Sequence, residues 1–144
     1  MLIRTIPHGT QRYSTVGDYF DHSDVHLNIE VVVSDMGDQR MEFLVGIHEA
    51  IEAGLMKFAG IPLQASTDFD VPYEADRDLA LEASFRRAAG FGCPCDITPT
   101  SEPGDDIHAP YYRAHQFATA VERMLAVELG VDWKAYEDRC NSLP

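Results

Sequence analysis

Positive charge is scarce in this 144-residue chain: 11 Lys and Arg stand against 24 Asp and Glu, a formal net charge of −13. Such a chain offers no field to attract a nucleic-acid backbone or an anionic membrane, both of which need a basic surface. Cysteine is scarce too. Cys93, Cys95 and Cys140 are the whole set, odd in number and unlike a disulfide framework, which fits a reducing compartment. No apolar run nears the ~20 residues of a membrane-spanning helix, and the opening Met-Leu-Ile-Arg-Thr-Ile-Pro lacks the apolar core of a signal peptide. The expectation is a cytoplasmic protein with neither nucleic acid nor membrane as partner. Also missing are a Gly-x-Ser-x-Gly elbow, a Gly-rich loop ending in Gly-Lys-Ser/Thr, and a pair of Glu-x-x-His motifs. Their absence removes serine hydrolases, P-loop nucleotide enzymes and ferritin-like oxidases.

What is there reads as one globular domain over 1–144, with 45% hydrophobic and 24% charged residues. Residues 2–6 alternate weakly, as a short strand does. Tyr13 to Phe20 reads as turn or strand material around Gly17-Asp18. From Val25 to Val33 the alternation is clear: Val25, Leu27, Ile29, Val31 and Val33 face one way, His26, Asn28 and Glu30 the other. These segments predict a small N-terminal antiparallel sheet. The period then changes to that of helices. Asp38 suits the cap of a helix running to about Ala59, stopped by Gly60 and Pro62, with Leu44, Ile47, Ile51, Leu55 and Phe58 as its apolar face. A second helix is predicted over roughly 74–89, after a polar stretch from Ser66 to Pro72. Residues 91–108, with Cys93-Pro94-Cys95, read as a long surface loop. Pro110 opens a third helix that carries Phe117, Ala118, Val121, Leu125 and Leu129 to Gly130, and Asp132 caps a short last helix around Trp133. Strands first and three to four helices after them make an α+β layout.

The chemistry-bearing string is His48-Glu49-Ala50-Ile51-Glu52. His48 and Glu52, at i and i+4, lie one turn apart on the same face, so both can reach one metal ion. Glu49 lies about 100° round the helix from His48, placed to address a water without ligating the ion. On the third helix, Tyr111, His115 and Glu122 form a stripe beside the apolar face. Packing the two helices brings His48, Glu52 and His115 to one point, with Glu122 or Tyr111 nearby as a further ligand or catalytic group. Two imidazoles and a carboxylate are a ligand set of catalytic zinc, with one position left for water. Three other groups carry chemistry less distinctly. Asp21, His22, Asp24 and His26 crowd a polar loop; Asp68 and Asp70 fit a turn or helix cap; Glu102, Asp105, Asp106 and His108 make an acidic loop that can serve as a lid or outer ligand. Cys93 and Cys95 have one intervening residue where redox and zinc pairs need two.

The His48–Glu52 string resembles the zincin active-site helix, His-Glu-x-x-His, with Glu52 where the second His stands. The resemblance implies that Glu49 is the general base and that a zinc-activated water is the nucleophile. Glu42-Phe43-Leu44, Asp68-Phe69-Asp70 with Glu74, and Pro103-Gly104-Asp105 leading to Ala109-Pro110-Tyr111 and His115 also resemble a family of small uncharacterised proteins from bacteria and their phages. That resemblance implies a phage or prophage origin and no particular activity. Taken together, the expectation is a zinc-dependent hydrolase acting on peptide or amide bonds. The alternative is a non-enzymatic accessory protein whose acidic surface meets a basic patch on another protein, with at most a structural metal. An acidic mimic of DNA is disfavoured, because the charges are scattered along every segment.

Overall fold

The computed structural model describes residues 1–23, 26–88 and 102–143, with 77–88 described by their backbone alone. Asp24, Val25, Cys93, Cys95 and most of the predicted 91–108 loop lie outside these residues. Three strands, β1 (Leu2–Ile6), β2 (Gly17–Asp21) and β3 (Ile29–Ser34), form a sheet in the order β1-β3-β2. β2 runs antiparallel to β3, Gly17 opposite Val33 and Asp21 opposite Ile29. β1 runs parallel to β3, Leu2 opposite Glu30 and Ile6 opposite Ser34. The sheet is therefore mixed, where alternation predicts an antiparallel one. The reason lies in the segment 7–16, which crosses over the sheet instead of turning back as a hairpin.

That crossover also buries the sheet's second face. Ser34 donates its backbone N–H to Val16 at 2.8 Å, and its Oγ accepts from Gln11 at 3.0 Å and lies 2.9 Å from His8 Nδ1. Arg12 closes over β2 through Asp18 at 2.7 Å. Val32 and Ser34 are thus as buried as Ile29, Val31 and Val33 on the helix-facing side. The strand starts at Ile29, later than the alternation from Val25 suggests. Asp21 at the end of β2 is paired with Ile29, and Leu27 is exposed.

Four helices follow: α1 (Gln39–Phe58), α2 (Gln64–Ala88), α3 (Tyr112–Leu129) and α4 (Trp133–Asn141). The caps act as the sequence suggests. Asp38 accepts from the N–H of Arg40 at 2.9 Å, Asp132 from that of Ala135 at 2.8 Å, and Gly130 ends α3 at φ 64°. α2 starts ten residues earlier than predicted and carries Pro72 inside it. Proline lacks the amide for the helical bond and costs ~3 kcal/mol there. Tertiary anchors on the same turns offset that cost: Ser66 and Asp70 are buried, and Phe69 packs against the core.

α1 lies between the sheet and α3, and its burial does not follow its large apolar residues. Leu44, Val45, Gly46, Ala50, Glu52, Ala53, Gly54 and Met56 are buried, whereas Leu55 and Phe58 of the predicted core face are exposed. Small residues let the sheet come close: a Cβ on Gly46 would stand 2.8 Å from Ile3 Cγ2. α3 shows the same inversion. Ala114, His115, Ala118, Glu122 and Ala126 are buried, and Phe117 is exposed. The cap at Asp38 gives the first test. Asp38→Ala should lower stability by about 1 kcal/mol, read as a lower urea midpoint with unchanged m-value, because the carboxylate caps α1 and otherwise pairs with the exposed Arg40 of the same turn.

Candidate metal centre

His48 and Glu52 project from the middle of α1 toward His115 on α3, and all three are buried or nearly so. His48 Nε2 lies 3.1 Å from His115 Nδ1, His115 Nδ1 lies 3.1 Å from Glu52 Oε2, and His48 Nε2 lies 3.6 Å from Glu52 Oε2. The two helices run antiparallel here, since Glu52 meets His115 while His48, one turn earlier on α1, reaches Glu122, two turns later on α3. Zinc bonded to nitrogen and carboxylate oxygen at ~2.0–2.2 Å in a tetrahedron separates its ligand atoms by about 3.3 Å. The observed triangle has the edges of one tetrahedral face. The donor set therefore fits a single divalent cation.

Each of the three atoms is steered by a partner behind it. His48 Nδ1 lies 2.9 Å from Glu122 Oε2, and Tyr136 donates its hydroxyl to Glu122 Oε1. Glu122 thus stands behind His48 and orients its ring, the arrangement that carboxylates make with ligating histidines. Glu122 is near the three donors, as expected from the sequence, on the far nitrogen of His48. Tyr19 donates to Glu52 Oε1 at 2.9 Å, leaving Oε2 turned to the imidazoles. His115 Nε2 faces Glu102 at 3.9 Å and Asp105 at 3.8 Å, contributed by a 3-10 turn at Pro103–Asp105. Gly104 in that turn lies flat on the His115 ring, where a Cβ would stand only 2.4 Å from its atoms.

Glu49 leaves α1 on the sheet side and packs across Gly17 of β2, where a Cβ would come within 2.5 Å of Oε1. Burial, then the charge of Glu52, hold its carboxyl well above the usual range, and His48 opposes them. Burial alone would lower the His48 pKa, but Glu122 and Glu52 more than reverse this and raise it well above the ordinary value. For Glu52, burial pushes upward and is overcome by His115 and His48, which hold the carboxyl down at about 2. Tyr111, read from sequence as catalytic, donates its hydroxyl to Asp70, and its ring packs edge-on to His115 at 6.3 Å. Asp70 also accepts from Tyr13 at 3.3 Å; burial raises it to about 6, against the Tyr111 bond and with the help of Glu52.

Of the other candidate groups, Asp70 reaches the edge of the centre, and Glu102 and Asp105 reach His115. Asp21 pairs with Lys57, and His22 with Glu30 at 2.9 Å, well apart from this cluster. Asp68 accepts from Gln64 at 3.0 Å, one turn earlier on α2. Reading by motif misses the tyrosines. Four of the six in the chain, Tyr13, Tyr19, Tyr111 and Tyr136, aim their hydroxyls at buried carboxylates. Their excess over a single Trp is the signal that a polar interior leaves in composition.

No protein-family model, curated protein or solved structure matches the chain. Among the described residues no helix is long and apolar enough to cross a membrane. Gly104→Ala probes the centre from its tightest contact. Either the His115 ring or the 3-10 turn must move, so the variant should lose about 1–3 kcal/mol of stability by overpacking, seen as a lower melting temperature.

Proposed function

We propose that the chain is a metal-dependent hydrolase built on one divalent cation, zinc in preference, held by His48 Nε2, Glu52 Oε2 and His115 Nδ1. The observation that carries the reading is the triangle of donor atoms with edges of 3.1, 3.1 and 3.6 Å. The charge around it supports the same reading. Glu49, Glu52, Asp70 and Glu122 crowd a space where Arg12 is engaged by Asp18, leaving two imidazoles as the neighbouring bases. Charged carboxylates at this depth need compensating positive charge, which a divalent ion would provide together with the imidazoles.

A cation held by these three atoms would supply a water whose pKa is lowered toward neutrality. The chain's own groups then have distinct tasks. Glu122, Tyr136 and Tyr19 fix the ring of His48 and the free oxygen of Glu52. Glu49, next to His48 in sequence, is in this reading the general base: with a metal bound it would take a proton from the attacking water and pass it to the leaving group. This requires its side chain to turn from Gly17 toward the donor triangle. The substrate class that suits this chemistry is a peptide or amide bond, by likeness to the zincin helix.

Protein purified without chelator should carry about one zinc per chain, as a single tetrahedral site requires. His48→Ala and His115→Ala should each lose it, and chelation should lower the melting temperature of the wild type alone. A metal-free wild type that also ignores added zinc removes the proposal. Glu49→Gln separates enzyme from accessory protein. It should keep metal and fold while hydrolysis of a mixed peptide pool falls by ~10²-fold or more. A wild type that binds zinc yet cleaves no peptide or amide leaves the metal structural, and the accessory reading then stands.

A further inference from the structure

The face of α3 turned away from His115 is built like half of a symmetric contact. At about 100° per residue, the positions most nearly opposite His115 are Arg113, Phe117, Ala120, Met124 and Glu128, with Val121 and Val127 at the two edges of that row. Phe117 is 56% and Met124 63% exposed, so the row is apolar yet solvent-facing. It is also chemically mirrored about a point between Ala120 and Val121. Phe117 and Met124 lie equally far from that point, and so do Arg113 and Glu128, one basic and one acidic. Neither charged side chain makes an ion pair among the described residues.

We infer that this face docks a second copy of the chain, α3 against α3, antiparallel about a two-fold axis between Ala120 and Val121. In such a contact residue i meets j and j meets i. Phe117 meets Met124 of the second copy twice, Arg113 meets Glu128 of the second copy twice, and no charge is set against its own kind. A basic partner would ask for carboxylates across the patch. In a chain with 24 acidic residues, the middle of this row has none. At ~200 Å² for a large side chain, Phe117 and Met124 offer on the order of 250 Å² per copy, with Val127, 77% exposed, beside them. A surface helix whose outer face is apolar is covered in the native assembly.

Sedimentation of the full chain from about 1 to about 100 µM tests this directly. The wild type should sediment at twice the chain mass, and Phe117→Glu or Met124→Glu should give monomers with unchanged circular dichroism and zinc content. Arg113→Glu sets two glutamates against each other and should weaken the dimer at least tenfold, whereas Arg113→Glu combined with Glu128→Arg should restore it. Three results overturn the inference: a monomeric wild type over the whole range, a dimer indifferent to both apolar substitutions, or a double charge swap no tighter than the single. Because the readout is mass, its failure leaves the metal reading untouched.

Discussion

Everything in the interior answers to one electrostatic requirement: carboxylates buried between α1 and α3 must be matched by positive charge and hydrogen-bond donors. Glu52 and Glu122 are 4% and 5% exposed, as deep as core aliphatic residues. They sit there because every oxygen has a use. Tyr19 and Tyr136 each take one oxygen, and the imidazoles of His48 and His115 face the others. Removing any one member leaves a charged group stranded, a change that costs far more than the pair contributes when complete. The two helices are therefore locked by a polar seam, with apolar packing supplied above and below it by Leu44, Val45, Met56 and Tyr136.

That seam explains which parts of the fold are legible in the sequence. Helix ends are local matters of capping and glycine, so Asp38, Asp132 and Gly130 can be read directly, and the α+β layout follows from the change of period. The i, i+4 spacing of His48 and Glu52 is equally local, and adding His115 requires only that two amphipathic helices meet. Which face of each helix points inward is a different kind of question. Period counting finds Leu44 on α1 and Ala118, Leu125 and Leu129 on α3, which do pack inward, but it also selects Leu55 and Phe58 on α1 and Phe117 on α3, which are exposed. The packed faces also use Gly46, Ala50, Ala53, Ala114 and Ala126, which it passes over, because close approach rewards small side chains and the polar seam fills the volume between them. A polar group satisfied by long-range partners is invisible to any rule built on hydropathy.

The same limit applies to the sheet and to α2. Whether β1 pairs parallel or antiparallel with β3 depends on where residues 7–16 travel, and their anchor is Ser34, 18 to 27 positions further along the chain. Pro72 argues locally against a helix, and it is overruled by Asp70, whose two tyrosine donors come from the crossover and from the start of α3. In each case a local preference worth a few kcal/mol yields to contacts that exist only once the chain has folded.

The large apolar residues set aside by the seam still need an explanation, since a soluble surface gains nothing from Phe58 or Phe117. On α3 the division is sharp. One side of the helix carries His115 and Glu122 into the centre, and the other carries Phe117 and Met124 into solvent. A helix with chemistry on one side and an apolar row on the other is held in place from both directions if that row is covered. Of the three donor residues His115 is the one on α3, its ring resting on the 3-10 turn at Gly104, which is backed in turn by α2. Burying the outer row of α3 would limit rotation of the helix about its own axis, and with it the sweep of His115 relative to His48 and Glu52. Precise placement of three donor atoms and an apolar outer face are, on this view, two consequences of using the same helix as ligand carrier and as contact surface.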